Sequence, residues 1–553
     1  MVEPSLRLSS SVTAALLALA SAAPAQQQEC WGPRAAEHLL ARAGFAPTGA
    51  EIETAAAEGP AEVVERLLED RRAWKKIPPL LVKYSEFGLD PRQRPLNEKL
   101  PEGKALEELI ARRHFLRDQD RSQFLDYFDR WARSMIRGDA PLRDRMTLFW
   151  HGFFTTSFQV VRRKYEMINQ HELLREHALG NFADLLRGIA HDPAMLIYLD
   201  NNTNVEGHPN ENFARELMEL YSLGEGNYTE VDVREAARAL TGAWAGPFGE
   251  YEFHEEVHDA GEKAILGQTG NFGADDLLDI LLEQPACARW VATKLLRYFE
   301  GAEPSPERLE EYAATLREAD YEVVPVLKKL FSDPRFYRDE VLGARIQGPI
   351  EFMIGICRKL DLDPPDYYLF SATAELGQCF YDPPTVKGWD GGPAWITNSS
   401  LMMRGNCVGV LLDVFQAEYV TAEARSAASD TDGGMRTASM LSPELKAEVM
   451  AQAATRLAAL KDDQGWEPSL NLTRLVLRSG ARTDEEITAF LAEDWLAVEP
   501  SGRVLKLMGD FIARERTAYG LGEQPLLTSG PNVELLLRRL AHLLFSLPEA
   551  QLG

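Results

Sequence analysis

Along most of the chain apolar residues return every three or four positions, the spacing that lines up one face of an α-helix. Ala35 to Phe45 reads as an amphipathic helix closed by Gly44, and Pro47 and Thr48 precede a further helical run over 49–68. Residues 75–103 hold several prolines and mixed charge and read as an irregular surface excursion. Periodicity returns from Leu106 to Arg137, with Phe115, Phe124, Tyr127, Phe128 and Trp131 near one side as core positions. Leu142 to Phe154 is densely apolar with His151 in its midst, and on the next helix His171 and Arg175 share a face. A lone histidine on an apolar face is more often a satisfied core residue than a ligand, so His151 is a core residue first and a site candidate second.

The segment 191–244 departs from this plan. An apolar run ends in Asp200, Asn201 and Asn202; a loop with Gly207 and Pro209 follows; then Asn210, Glu211 and Asn212 lead into a helix. On that helix Asn212, Arg215, Glu216 and Glu219 share one face while Phe213, Leu217 and Leu220 share another, so one side can pack and the other can do chemistry. Gly224 and Gly226 read as a stop, and Thr229 with Asp232 resembles a capping box opening a second helix, 230–240. Structurally, Glu211 and Arg215 also read as an ordinary ion pair four residues apart, with the other acids facing water. Beyond Trp244 a turn and a short strand, 250–254, lead to a literal HExxH at 254–258. That motif binds zinc only on a helix, and the flanking glycines fit a hairpin or loop better, so chance in an acidic, histidine-rich stretch is the preferred explanation. His258 with Asp259 is the more plausible site element. Eight of the ten histidines lie between 114 and 258, a clustering in sequence that a metal site would need in space.

Further on, 275–299 reads as a helix pair around Pro285, with Trp290, Lys294, Leu295, Tyr298 and Phe299 as packing positions, and 304–336 repeats that plan. The stretch 377–396, rich in Gly and Pro with Trp389 and Trp395, is either a lid over a pocket or a clasp between subdomains. Residues 421–440 form the best linker, and an apolar helix over 533–546 closes the chain. The fold class is mainly α, a multi-helix globular core with short β-hairpin or strand elements. The expected divisions are a signal peptide, 1–25; an N-terminal helical region, 26–140; a helical core with the unusual motifs, 141–300; a helical region with the Gly/Pro/Trp loop, 301–420; the linker; and a C-terminal helical region, 441–553.

A formal charge of −26 argues against nucleic acid or an anionic membrane as partner, because both need a basic footprint. Val12 to Ala20 is apolar and Ala23-Pro24-Ala25 resembles a signal-peptidase site, which implies export; nothing later resembles a transmembrane segment. Five scattered cysteines without a CxxC read mostly as buried apolar residues. Phosphate-loop, dinucleotide and GxSxG fingerprints are absent, so neither a nucleotide cofactor nor a serine hydrolase is expected.

Taken together, EHLLARAGF, MTLFWHGFFTTS, REHALGNFADLLRGIAHDPAMLIYLDN, PNENFARELMELYSLG, YTEVDVREAARALTGAW, HDAGEKAILG and GQCFYDPPTVKGWDGGPAWI resemble, in order and across most of the chain, the large bacterial family catalogued as domain of unknown function 1800. The resemblance implies a mainly helical, often exported protein. It also implies a companion exported protein resembling alkaline phosphatases and sulfatases as partner. Asp200, Asn201, Asn210, Glu211, Asn212, Arg215, Glu216, Glu219, His258 and Asp259 fall on its signature positions, and His254 falls outside them.

The density of acids, amides and histidines favours a hydrolase or lyase. In that reading Glu211, Arg215, Glu216, Glu219 and His258 are catalytic, while Asp200, Asn201, Asn210, Asn212 and Trp389 bind substrate. Neighbouring carboxyls split their pKa values, so one donates a proton while another accepts, and Arg215 would hold an anionic group. Asp200, His258 and Asp259 are the ligand set for a divalent metal, if one is used. The alternatives are a binding or assembly module for a partner exported protein or glycan, and a buried ion network that fixes helix register.

Overall fold

The computed structural model describes residues 31–69, 104–246, 249–415, 455, 457–528, 530 and 532–553, the side chains of 105–120 excepted. The expected signal peptide, the excursion over 75–103 and the linker lie outside those residues, as do Cys30 and the side chain of Phe115. Among the described residues the fold is mainly α-helical, with two small antiparallel two-stranded sheets, Ala243–Ala245 with Tyr251–Phe253 and Lys263–Ile265 with Gln268–Gly270. No described helix is long and apolar enough to cross a membrane.

Local rules account for most boundaries. The capping box forms as its spacing predicts: Thr229 Oγ1 accepts from the Asp232 N–H (3.2 Å), Asp232 Oδ2 accepts from the Thr229 N–H (2.8 Å), and helix Glu230–Ala239 follows. Pro285 divides Ala274–Glu283 from Pro285–Glu300 by taking the first position of the second helix. The run over 49–68 is two helices, Gly49–Glu58 and Pro60–Glu69. Gly59 at φ +100° and Pro60, which donates no N–H, interrupt the ladder there. Gly44 ends helix Pro33–Ala43, but its φ is −140°; it is needed for closeness, since a Cβ there would meet Pro141 Cβ at 2.8 Å.

The apolar faces assemble into two hydrophobic cores. One joins helices within 33–69 to residues 142–337. The other joins helix Lys104–Arg137 to residues 350–415 and the C-terminal helices, so the region 26–140 contributes to both cores. Phe124, Tyr127, Phe128 and Trp131 bury the expected face of that long helix. Ile197 and Tyr198 pack against both cores and so mark the seam between them. Among the described cysteines, Cys287, Cys357 and Cys407 are buried and Cys379 is half-buried, all as free thiols.

Candidate functional site

The loop after Asp200 is held by its own amides. Asn201, fully buried, donates from Nδ2 to the carbonyls of Leu240 (3.1 Å) and Ala243 (2.6 Å), while its Oδ1 accepts from Asn204 Nδ2 (3.2 Å). Asn202 pairs with the Ala245 backbone through both amide atoms (3.0 and 2.9 Å). Asn210 Oδ1 receives the Asn212 N–H (3.0 Å), an Asx turn that starts helix Asn212–Glu219, and its Nδ2 reaches Thr203 Oγ1 (2.8 Å). These amides secure backbone that lacks a helix or sheet ladder. Asn201 and Asn210 thus spend these hydrogen bonds on the loop itself, and Asp200, at φ +57°, and Asn212 are exposed at the loop's edges.

Helix Asn212–Glu219 is too short to be stable alone, since isolated helices need about 12–15 residues, and it is held by burial of Phe213, Leu217 and Met218. Its polar side divides in two. Arg215 is committed to carboxylates, bidentate to Glu230 of the following helix (2.9 and 2.7 Å) and bonded to Glu211 (3.1 Å). Arg215 is thus tied to two acids, which occupy most of the charge it could offer an anion. Glu216 points elsewhere, toward the seam. Burial and the neighbouring Glu219 raise its pKa, opposed by the charges of Arg215 and Lys387. Glu219 in turn accepts from the Tyr228 hydroxyl (2.7 Å). Burial, with Glu216 and Asp382, holds the proton on Tyr198. Electrostatics thus links Glu216 to Glu219 and to the exposed Lys387, and links Tyr198, on the seam, to Glu216 and Asp382; Lys387, Asp382 and Tyr198 had not been singled out from sequence.

Lys387 and Asp382 arrive on the Gly/Pro/Trp loop, which is a clasp. Phe158 N–H donates to the Tyr381 carbonyl (2.7 Å), Thr155 Oγ1 to the Val386 carbonyl (2.6 Å) and Ser157 Oγ to Asp382 Oδ1 (2.5 Å). Gly388, at φ +85°, lies so close that a Cβ would sit 2.6 Å from the Gly152 carbonyl oxygen. Trp389 turns inward, its ring 5.6 Å from that of His151, and its buried Nε1 meets no acceptor among the described residues. His151 is a core residue: Nε2 accepts the Tyr381 N–H (3.0 Å) and burial pushes its pKa down to about 4. Beneath it Tyr127 donates to Glu172 (2.5 Å) and so must accept from His171 Nδ1 (2.7 Å).

HExxH is not on an α-helix: Glu255–Val257 is a single 3₁₀ turn, and His254 pairs with Glu252 and Glu256 (3.1 Å each). His258 Nδ1 lies 2.8 Å from the Thr241 carbonyl oxygen. Asp259 is bidentate with Arg238 (2.7 and 3.0 Å), which holds its carboxyl down at about 2. The expected metal set of Asp200, His258 and Asp259 is not assembled. Among the described residues no group of three or more His, Cys, Asp or Glu is placed to hold an ion, because the nearest bases serve hydrogen bonds that fasten the hairpin.

A family model described as "Protein of unknown function (DUF1800)" matches residues 38–552. The chain belongs to the DUF1800 family. No curated protein and no solved structure matches it. Because the match runs through both hydrophobic cores, the DUF1800 unit comprises the pair, and the seam between them is internal to it. Asn201, Asn202 and Asn210 fasten the loop and the Asp259–Arg238 pair fastens the hairpin, while Glu216 lies beside Glu219. The signal for Lys387 lay in the TVKGW run of the turn-rich loop, a charged residue amid otherwise rigid positions.

Proposed function

We propose that the chain is an exported hydrolase or lyase whose chemistry lies at the seam, with Glu216 as the proton donor. The observation that supports this is Glu216 itself: a half-buried carboxyl with a raised pKa, beside a second acid and opposite a lysine. A raised pKa keeps a carboxyl protonated closer to neutral pH, where it can give its proton to a leaving group as that bond breaks. Asp382, held by Ser157, is the second carboxyl, taking a proton from water in a hydrolysis or from substrate carbon in an elimination. Lys387, rather than Arg215, provides the positive charge for an anionic substrate group.

The test is turnover of a panel of esters, glycosides and uronate polymers by wild type, Glu216→Gln and Lys387→Met. Glu216→Gln should lower kcat by about 10²–10⁴ with its melting temperature intact, and Lys387→Met should raise KM. Saturable ligand binding with no turnover anywhere in the panel, unchanged in Glu216→Gln, overturns the proposal in favour of a binding module.

A further inference from the structure

Away from the seam, at Arg145 on helix Pro141–Phe153, arginines accumulate around a single acid. Arg42, from helix Pro33–Ala43, is fully buried, Arg145 is 1% exposed, and Arg345 lies beside them. Glu351, near the start of helix Pro349–Lys359, answers Arg145 in a close ion pair and Arg345 at 2.5 Å, and its other oxygen accepts the Gly348 N–H (3.0 Å). Three guanidiniums thus crowd one carboxylate, and Glu300, which also acts on Arg42, is itself paired with Arg308.

The excess shows as unmet donors. Arg42 reaches only the Val341 carbonyl (3.3 Å); its Nε and Nη1, Arg145 Nε and Nη2, and Arg345 Nε are buried without an acceptor among the described residues. Ring faces take part of the charge, with Arg145 5.0 Å from the centre of Tyr298 and 5.6 Å from that of Phe45. Burial first, and then Arg345 and Arg145, push the Arg42 pKa down. A guanidinium nevertheless stays charged in a protein, so the cost of burying it unpaired is not escaped by losing a proton.

Arg145 and Arg345 border a cleft lined also by Glu351, Gln347, Glu37 and Lys359, with Gly553 on the same wall, and Arg42 is buried behind them. Glu37 and Asp494 belong to its Lys359 end: Lys359 lies 3.4 Å from Glu37, and burial raises the pKa of both acids. Arg404 stands behind, its Nη1 donating to Gln551 (2.9 Å) and its Nη2 to the Gln347 carbonyl (2.8 Å), while its Nε meets no acceptor among the described residues.

We propose that this cluster binds a small oxyanion, a phosphate, sulfate or carboxylate group that enters the cleft and accepts from Arg145 and Arg345, with Arg42 behind them. Planar N–H forks suit such a group, and a charge of −1 or −2 offsets the buried excess. The site is separate from the seam and does not depend on the chemistry proposed there.

The test uses the full-length protein, freed of anions by dialysis and titrated by calorimetry and thermal melting with inorganic phosphate, sulfate or acetate, ionic strength being held with sodium fluoride. At least one anion should bind saturably near 1:1 and raise the melting temperature. Phosphate or sulfate alone identifies a tetrahedral group, and acetate alone a carboxylate. Arg145→Met should abolish binding; should it not fold, Arg345→Gln should weaken binding at least tenfold. Glu351→Gln, which removes the competing carboxylate, should bind at least tenfold more tightly and recover thermal stability as anion is added. A purely structural cluster gives no such recovery. The proposal is overturned if none of the three anions binds saturably, or if binding is the same in the arginine variants.

Discussion

Asp192 carries a prediction whose size follows from its surroundings. It caps helix Pro193–Tyr198, and a single oxygen, Oδ2, accepts from both the Met195 N–H and Gln170 Nε2 (2.8 Å each), while Gln170 Oε1 is occupied by Thr156. The residue is 5% exposed, and burial drives its pKa from 3.8 up to about 7 against those hydrogen bonds. Because the folded value exceeds the unfolded one, its contribution is fully present below pH 3.8 and is lost as pH rises through about 7. The shift of roughly three units corresponds to about 4 kcal/mol at pH 8. Asp192→Asn removes the charge, and an amide oxygen in the Oδ2 place keeps both hydrogen bonds. Its Nδ2 then faces the Ala194 N–H, which favours the carboxylate, at a cost of about 1 kcal/mol. The variant should therefore be more stable by about 3 kcal/mol at pH 8 and no more stable at pH 4, the difference growing by up to about 1.4 kcal/mol per pH unit until it levels off near pH 7. Urea unfolding of both proteins at intervals from pH 4 to 8 measures this. Parallel stability curves would refute the reasoning, since they require an Asp192 that titrates alike folded and unfolded.

Two further outcomes test the scaffold. Asn201→Ala strands the Leu240 and Ala243 carbonyls and Asn204 Nδ2 in a buried loop, so it should cost about 2–4 kcal/mol in chemical denaturation; a loss below about 0.5 kcal/mol would show that the loop holds without it. Gly388→Ala puts a Cβ against the Gly152 carbonyl at a φ that disfavours side chains, so about 2–4 kcal/mol should be lost and the clasp should become open to proteolysis near Trp389, whereas an unchanged digestion pattern would mean that the loop is not held there.

What the sequence determined by itself was whatever is written within a few residues. Helix Asn212–Glu219, the Thr229–Asp232 capping box, the break at Pro285 and the aromatic face of helix Lys104–Arg137 follow from periodicity and capping, which need no distant partner. So did the doubt about HExxH, since glycines on both sides left no room for a helix. The motifs also carried the DUF1800 membership. The tertiary structure alone decided which of the polar signature residues remain available. Glu211, Arg215 and Glu216 look alike in a helical pattern, yet Glu230 claims Arg215 while Glu216 is half-buried with a raised pKa. Lys387 stands 171 residues from Glu216, and no local rule brings it there. Arg42, Arg145 and Arg345, around Glu351, come from three separate segments and were invisible for the same reason. The cost of a buried charge depends on which groups surround it in space, and spacing along the chain does not encode that.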